Sequence, residues 1–308
     1  MIDYVTYAGW PNNVRLANDH AEIIVTLDVG PRVISYRMAG ARNVFKNYEA
    51  QLGGTGEADW KIRGGHRFWL APEDAVLSYI PDNSAVTHEV ISPSAIEFIR
   101  PPSPLLPIEM KLGIALDPAS SRVTVTHQAT NAGIHARSLA TWGLTVLAPG
   151  GIEFIPLPAL GQHPRDLLPT RRMILWPYTD MTDARWQWGR QFITLAQRPE
   201  AEPTKLGLTH REGWAAYQLG DQLFLKTIPF TVGADYADLG CNFETFSNHE
   251  MLELEALGPL VRLAPGESIS HAEDWHLFRL ESSPPDRGEE DALAAWFEPF
   301  VRRAGLTT

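Results

Sequence analysis

Residues 122–131 read RVTVTHQATN, and the alternation in that stretch decides the class of fold. Val123, Val125 and Ala129 take every second place among Thr124, Thr126, Gln128 and Thr130, the period of an antiparallel strand with one face buried. Outward from it, AEIIVTLDVG, RVISYRM, AVTHEVIS, AIEFIRPP, EMKLGIALD, SLATWGLTVLAPGG, RQFITLAQ, WAAYQLGDQLFLKTIPF, EMLELEALG and ISHAEDWHLFRL read as further strands, with 24 Gly and 24 Pro marking turns between them. Only EEDALAAWFEPFVRRAG carries a helical period, where Leu293, Trp296, Phe297 and Phe300 share one stripe and predict a helix over about 289–304. No linker or fixed repeat divides the chain, and PPSPLLP at 101–107 is too short to do so. The expectation is one all-β unit over residues 1–308 with a C-terminal helix on its outside.

Composition narrows the partners. A formal charge of -11 with scattered Lys and Arg argues against nucleic acid and anionic membrane, because both require a basic face. Cys241 is the single cysteine, which excludes an internal disulfide and points to a reducing compartment. The first residues lack a basic flank followed by an apolar run, and no stretch approaches the roughly eighteen apolar residues of a membrane helix. A cytoplasmic protein is expected. Phosphate-binding glycine loops, a GxSxG elbow, HExxH and zinc-spaced Cys/His pairs are all missing from the sequence, so neither a nucleotide cofactor nor a metal is expected.

Three stretches concentrate chemistry. In KIRGGHRFWLAPED at 61–74, Arg63, His66, Arg67, Trp69 and Glu73 join the preceding Trp60. Flat apolar rings beside charged donors and acceptors suit a sugar, which offers C–H faces to stack on and hydroxyls to bind. The alternative is a loop whose arginines pair with Glu73 and Asp74 while the tryptophans pack. In the second stretch, MLELEALG, Glu253 and Glu255 fall on one face of a strand and Leu252 and Leu254 on the other. Adjacent carboxylates either face solvent or raise the pKa of one member for acid–base work. In the third, RRMILWPYTDMTDARWQWG, Trp176, Tyr178, Asp180, Asp183, Arg185, Trp186 and Trp188 read either as core or as the rim of a groove. Trp60, Trp69, Trp142, Trp176 and Trp186 are expected to line that groove.

The order of DVGPRVISYRMAGARNVFKN, RGGHRFWLAPE, LPTRRMILWPYTD, the Glu-bearing strand and LAPGES resembles the galactose mutarotase-like superfamily of aldose 1-epimerases, over about residues 5–280. It resembles most an uncharacterised bacterial branch with GGHR-W-APE and ELE-LGP signatures. The resemblance implies a β-supersandwich with a sugar in a groove on a concave face. It also implies a late-strand Glu that takes the anomeric proton while a His protonates the ring oxygen. That Glu falls on Glu255, with Glu253 beside it; Arg63 matches the Arg before the paired glycines, and Asp180 the hydroxyl-binding Asp. Where the family carries its His, this chain has LATWGLTVLAPGG, with Trp142 at about that position.

His66 is therefore the candidate replacement acid, with His163 the other loop histidine beside an Arg. The expected function is a sugar mutarotase or epimerase with Glu255 and His66 as catalytic pair, and Trp60, Arg63, Arg67, Trp69, Trp142, Asp180 and Glu253 on the substrate. The alternatives are a carbohydrate-binding or sensor protein on the same groove, or a lyase or hydrolase whose acidic sugar is held by Arg63 and Arg67.

Overall fold

Val123–Asn131 is a strand in which every odd residue is buried and every even one is half-buried, as its alternation requires. The computed structural model describes residues 1–306 and contains twenty-one strands, one short 3-10 turn and one α-helix among them. The strands form two sheets, and every pairing is antiparallel. The eleven-stranded sheet starts with the hairpin Ile2–Tyr7 and Trp10–Ala17. It continues through Ala21–Thr26, Arg32–Met38, Gly65–Ala71, Arg137–Leu147, Leu252–Leu257, Phe243–Ser247 and Thr204–Leu208 to Met173–Leu175. The short Val261–Leu263 pairs with the start of Arg137–Leu147. The ten-stranded sheet runs from Trp186–Trp188 through Phe192–Ala196, Ile152–Pro156, Trp214–Leu219, Gln222–Thr227, Ser268–Arg279, Val123–Asn131, Ile108–Leu116 and Ala95–Arg100 to Thr87–Ser92.

The inner faces pack together, with Val14, Ile23, Phe68 and Leu254 from one sheet against Leu112, Val125, Phe224 and Trp275 from the other. Each such side chain withdrawn from water contributes on the order of 1.5–3 kcal/mol before entropy is counted. Polar groups interrupt this interior directly behind the central strand Arg137–Leu147. His127, the inward residue of RVTVTHQATN, meets His66 there at 2.8 Å between their Nε2 atoms, and His66 Nδ1 meets Thr145 Oγ1 at 2.9 Å. Lys226 donates to the carbonyls of Gly143 and Leu254, both at 3.2 Å, and lies 3.1 Å from Glu273 Oε1. Gly143 must be glycine, because a Cβ would lie 2.9 Å from the His127 ring.

The helix spans Glu290–Arg303 and buries Leu293, Phe297 and Val301 against the outside of the ten-stranded sheet. Phe297 meets Phe154 edge to face, with ring centres 5.1 Å apart. At its start the Glu290 carboxylate accepts the backbone N–H groups of Arg190, Gln191 and Phe192, which ties the helix to the sheet edge. No helix among the described residues is long and apolar enough to cross a membrane.

Candidate functional site

Alternation along the central strands divides interior from exterior. In Gly65–Ala71 the odd residues Arg67, Trp69 and Ala71 share the outer face, and register brings Arg67 opposite Leu144 and Trp69 opposite Trp142. Across Arg137–Leu147, Leu144 also faces Glu255, and Trp142 faces Leu257. Glu244 lies opposite Glu255 on the next strand, and Lys205 opposite Phe246 on the one after. Five strands thus place Arg67, Trp142, Glu253, Glu255, Glu244 and Lys205 on one outer surface.

Two charged centres result. Arg67 Nη1 bonds Glu253 Oε1 at 2.7 Å, and its guanidinium lies 4.5 Å from the Trp69 ring and 5.6 Å from that of Trp60. The second centre is built on Lys205, whose Nζ is 2.7 Å from Glu244 Oε2 and 3.1 Å from Glu255 Oε2. The same Glu255 oxygen accepts Trp142 Nε1 at 2.9 Å, while Glu255 Oε1 is buried without a partner. Lys205 also lies over Trp142 and Trp176, at 5.0 and 4.8 Å from their ring centres.

Burial sets the proton affinities. It raises the Glu244 carboxyl to about 8 against the opposing pull of Lys205, and it raises Glu255 as well, with Glu253 adding like-charge repulsion. The two carboxylates hold the lysine ammonium above its usual range despite the cost of burying it. Above these centres stands an aromatic rim. Trp60, Trp69 and Tyr79 pack together, tilted or edge to face, with ring centres 5.2–5.5 Å apart, Trp69 meets Trp142 edge to face at 5.6 Å, and Tyr79 Oη donates to Glu73. Tyr178, 46 % exposed, belongs to the side of Trp176 and feels the charges of Lys205 and Glu255.

Neither a protein-family model nor the sequence of a curated protein matches the chain. Solved structures do match. A galactose mutarotase-like protein from Lactobacillus casei superposes with a TM-score of 0.52 at 11% identity, over 87% of this chain and 100% of that one. A galactose mutarotase related enzyme from Lactobacillus acidophilus gives 0.54 at 9% identity, over 88% and 99%. A TPR-domain containing protein from Parabacteroides distasonis gives 0.59 at 12% identity, over 96% of this chain and 55% of that one. The chain has the galactose mutarotase-like fold.

Within this mutarotase-like fold, Trp60, Arg67, Trp69, Trp142, Glu253 and Glu255 come together on one face, joined by Trp176 through Lys205. Other expected site residues lie elsewhere. His66 is one residue out of phase with Arg67, so the pleat turns it into the interior, where it is fully buried and cannot protonate a sugar on the outer face. Arg63 is also fully buried, spending its guanidinium on Glu57, Asn83 and the Gln51 carbonyl to fasten a loop. Asp180 is exposed and caps its own turn through the N–H and hydroxyl of Thr182. His163 is exposed in the 157–172 connection. Trp186 packs in the core and donates to Thr204 Oγ1 at 3.1 Å, so Trp186→Phe should cost about 1–3 kcal/mol in a urea titration yet leave ligand-induced fluorescence changes intact.

Lys205 and Glu244 escaped the sequence reading. Both sit in five-residue strands, Thr204–Leu208 and Phe243–Ser247, that are almost wholly buried and carry little alternation. A charged residue placed singly among Phe243, Thr245 and Phe246 was the available signal. On the interior side, His66, His127 and Glu273 bring ligand atoms within 4.8 Å of one another, a spacing that could hold a cation. Glu273 Oε1 already receives Lys226 Nζ at 3.1 Å and Trp275 Nε1 at 2.7 Å, so the ammonium takes the place a metal would fill.

Proposed function

We propose that the outer face binds a sugar across its aromatic rim, with Arg67, Glu253 and Lys205 on its hydroxyls, and that the protein interconverts the anomers of that sugar. The Glu244–Lys205–Glu255 cluster carries this reading: two carboxyls share one ammonium, and Glu244, at about 8, holds a proton at neutral pH. Two carboxyls joined through one ammonium serve as an acid and a base when one of them holds the proton and the other does not. In this assignment Glu255 takes the proton from the anomeric hydroxyl and Glu244, in place of His66, gives one to the ring oxygen. The ring opens, the C1–C2 bond rotates, and closure on the other face returns both protons. Glu244 and Glu255 are fully buried, so the sugar reaches them by displacing the Lys205 side chain.

That burial also favours a second reading, a carbohydrate-binding protein that uses the rim without proton transfer. Polarimetry on a sugar that shifts the tryptophan fluorescence separates the two. Glu255→Gln and Glu244→Gln should each slow interconversion about 10²- to 10⁴-fold with binding retained. The wild-type rate should fall as pH rises past about 8, where Glu244 loses its proton, and that limb should vanish in Glu244→Gln. A wild type that binds sugar and accelerates nothing establishes the binding reading. Full activity in Glu255→Gln with none in Glu253→Gln would move the base two residues along the strand.

A further inference from the structure

Beside the aromatic face, behind the loop 229–241, lies a cleft of about 410 Å³ that the proposed sugar chemistry does not use. Arg171, Arg172 and Arg211 line it with Phe230, Tyr236, Leu239 and a single acid, Asp235. Arg171 donates only to the main-chain carbonyls of Pro158 and Arg190, Arg172 to that of Leu239, and Arg211 lies over the Phe230 ring at 5.3 Å. None of the three guanidiniums is in an ion pair among the described residues, although the chain carries a net charge of -11. Three like charges around one concavity repel, and an acidic protein has carboxylates enough to pair them.

The wall of the cleft is built to keep the arginines there. Arg172 Nη1 occupies the space where a side chain at residue 240 would begin, and Gly240 holds φ +108°, a conformation that side chains rarely adopt. The two residues before it, Asp238 and Leu239, both hold left-handed backbone at φ 49° and 63°, a conformation costly outside glycine and concentrated at ligand sites. Phe230 and Tyr236 stack at 5.7 Å, and Tyr236 Oη accepts the Thr231 N–H, which stiffens the opposite wall. A planar guanidinium offers paired donors matched to two oxygens of a phosphate, sulfonate or carboxylate.

We propose that this cleft is an oxyanion-binding site. Ala237, from the same loop, packs with Trp69 and Trp142, so an anion in the cleft sits one loop away from the aromatic face. The anion is therefore either the acidic group of a ligand that also engages the rim or a free oxyanion.

Titration with inorganic phosphate at pH 7, followed by amide NMR, should give saturable shifts confined to residues 169–172, 209–211 and 230–240 and weakened by added salt. Arg172→Gln/Arg211→Gln should weaken the binding at least about 10-fold. Because Arg172 also supports Leu239, Arg211→Gln alone provides a variant that removes no main-chain contact, with a several-fold loss expected. Glucuronate identifies the source: shifts in both the loop and the tryptophan indoles assign the anion to a sugar acid, whereas a response to phosphate alone assigns a free oxyanion. Absence of saturable loop shifts with both probes, or equal affinity in the double variant, overturns the proposal. Neutral sugars that perturb only the indoles leave the sugar reading standing when the anion site fails.

Discussion

Lowering the pH from 6.5 to 4 should destabilise the protein, with the loss beginning well above the range in which ordinary carboxylates titrate. Five buried imidazoles are responsible. Burial lowers His210, His271 and His276 to about 4 and takes His66 and His127 well below their usual value, with each of these last two further opposed by a neighbouring histidine and by Lys226. A histidine whose folded pKa is depressed contributes stability that is complete above the unfolded value near 6.5 and is lost as pH falls toward the folded one. A drop from 6.5 to about 4 corresponds to roughly 3 kcal/mol per group, so two or three such groups rival the whole stability of a typical domain.

Four raised carboxyls act in the opposite sense. Glu153, Glu244, Glu255 and Glu273 bind protons in the folded state that the unfolded chain releases above about 4.5, and they destabilise the fold as pH rises, for Glu244 up to about 8. Five imidazoles outnumber four carboxyls on the acid side, so urea midpoints should peak close to pH 6.5–7, fall below it and decline gently toward 8. A midpoint unchanged between pH 7 and 5 would refute this account of the interior.

The second large effect should come from Lys226→Met, which leaves Glu273 fully buried without its cation. Removing one member of a buried pair typically costs about 3–5 kcal/mol. Here the loss extends further, because the ammonium also bonds the carbonyls of Gly143 and Leu254 on the two strands that carry Trp142, Glu253 and Glu255. Lys226→Met/Glu273→Gln should recover part of the stability, since a neutral amide still accepts from Trp275 Nε1 and no unpaired charge remains. If the double variant is less stable than Lys226→Met, the pair is not what the lysine serves.

The sandwich was legible because its strands with one wet face announce themselves. RVTVTHQATN, EMKLGIALD and EMLELEALG all land within a residue or two of strands, and the helix ends within one residue of its predicted bounds. The same parity rule that places Glu253 and Glu255 together also places His66 opposite Arg67, yet the paired glycines of KIRGGHRFWLAPED give His66 the look of a loop residue free to face a sugar. Both glycines hold positive φ, at 88° and 69°, but the second already belongs to the strand. His127 was inward by its alternation and could have been matched to His66. Lys205 and Glu244 were harder to see: strands buried on both faces lose the period that reveals orientation, and only pairing with Glu255 gives those side chains a meaning.

The outer cluster draws Arg67, Trp142, Lys205, Glu244 and Glu255 from strands separated by up to 188 positions, and only Glu244 and Glu255 come from strands that follow one another in the sequence. The central strand Arg137–Leu147 gains its flank at Gly65–Ala71 early in synthesis but waits for Leu252–Leu257 for the other. Until more than four-fifths of the chain has left the ribosome, one edge of that strand stays unpaired and the apolar residues behind it lack Lys226's clamp on Leu254. Such long-range pairing makes for slow folding and an exposed edge open to association. Nascent chains halted before residue 252 should therefore be the ones that engage chaperones.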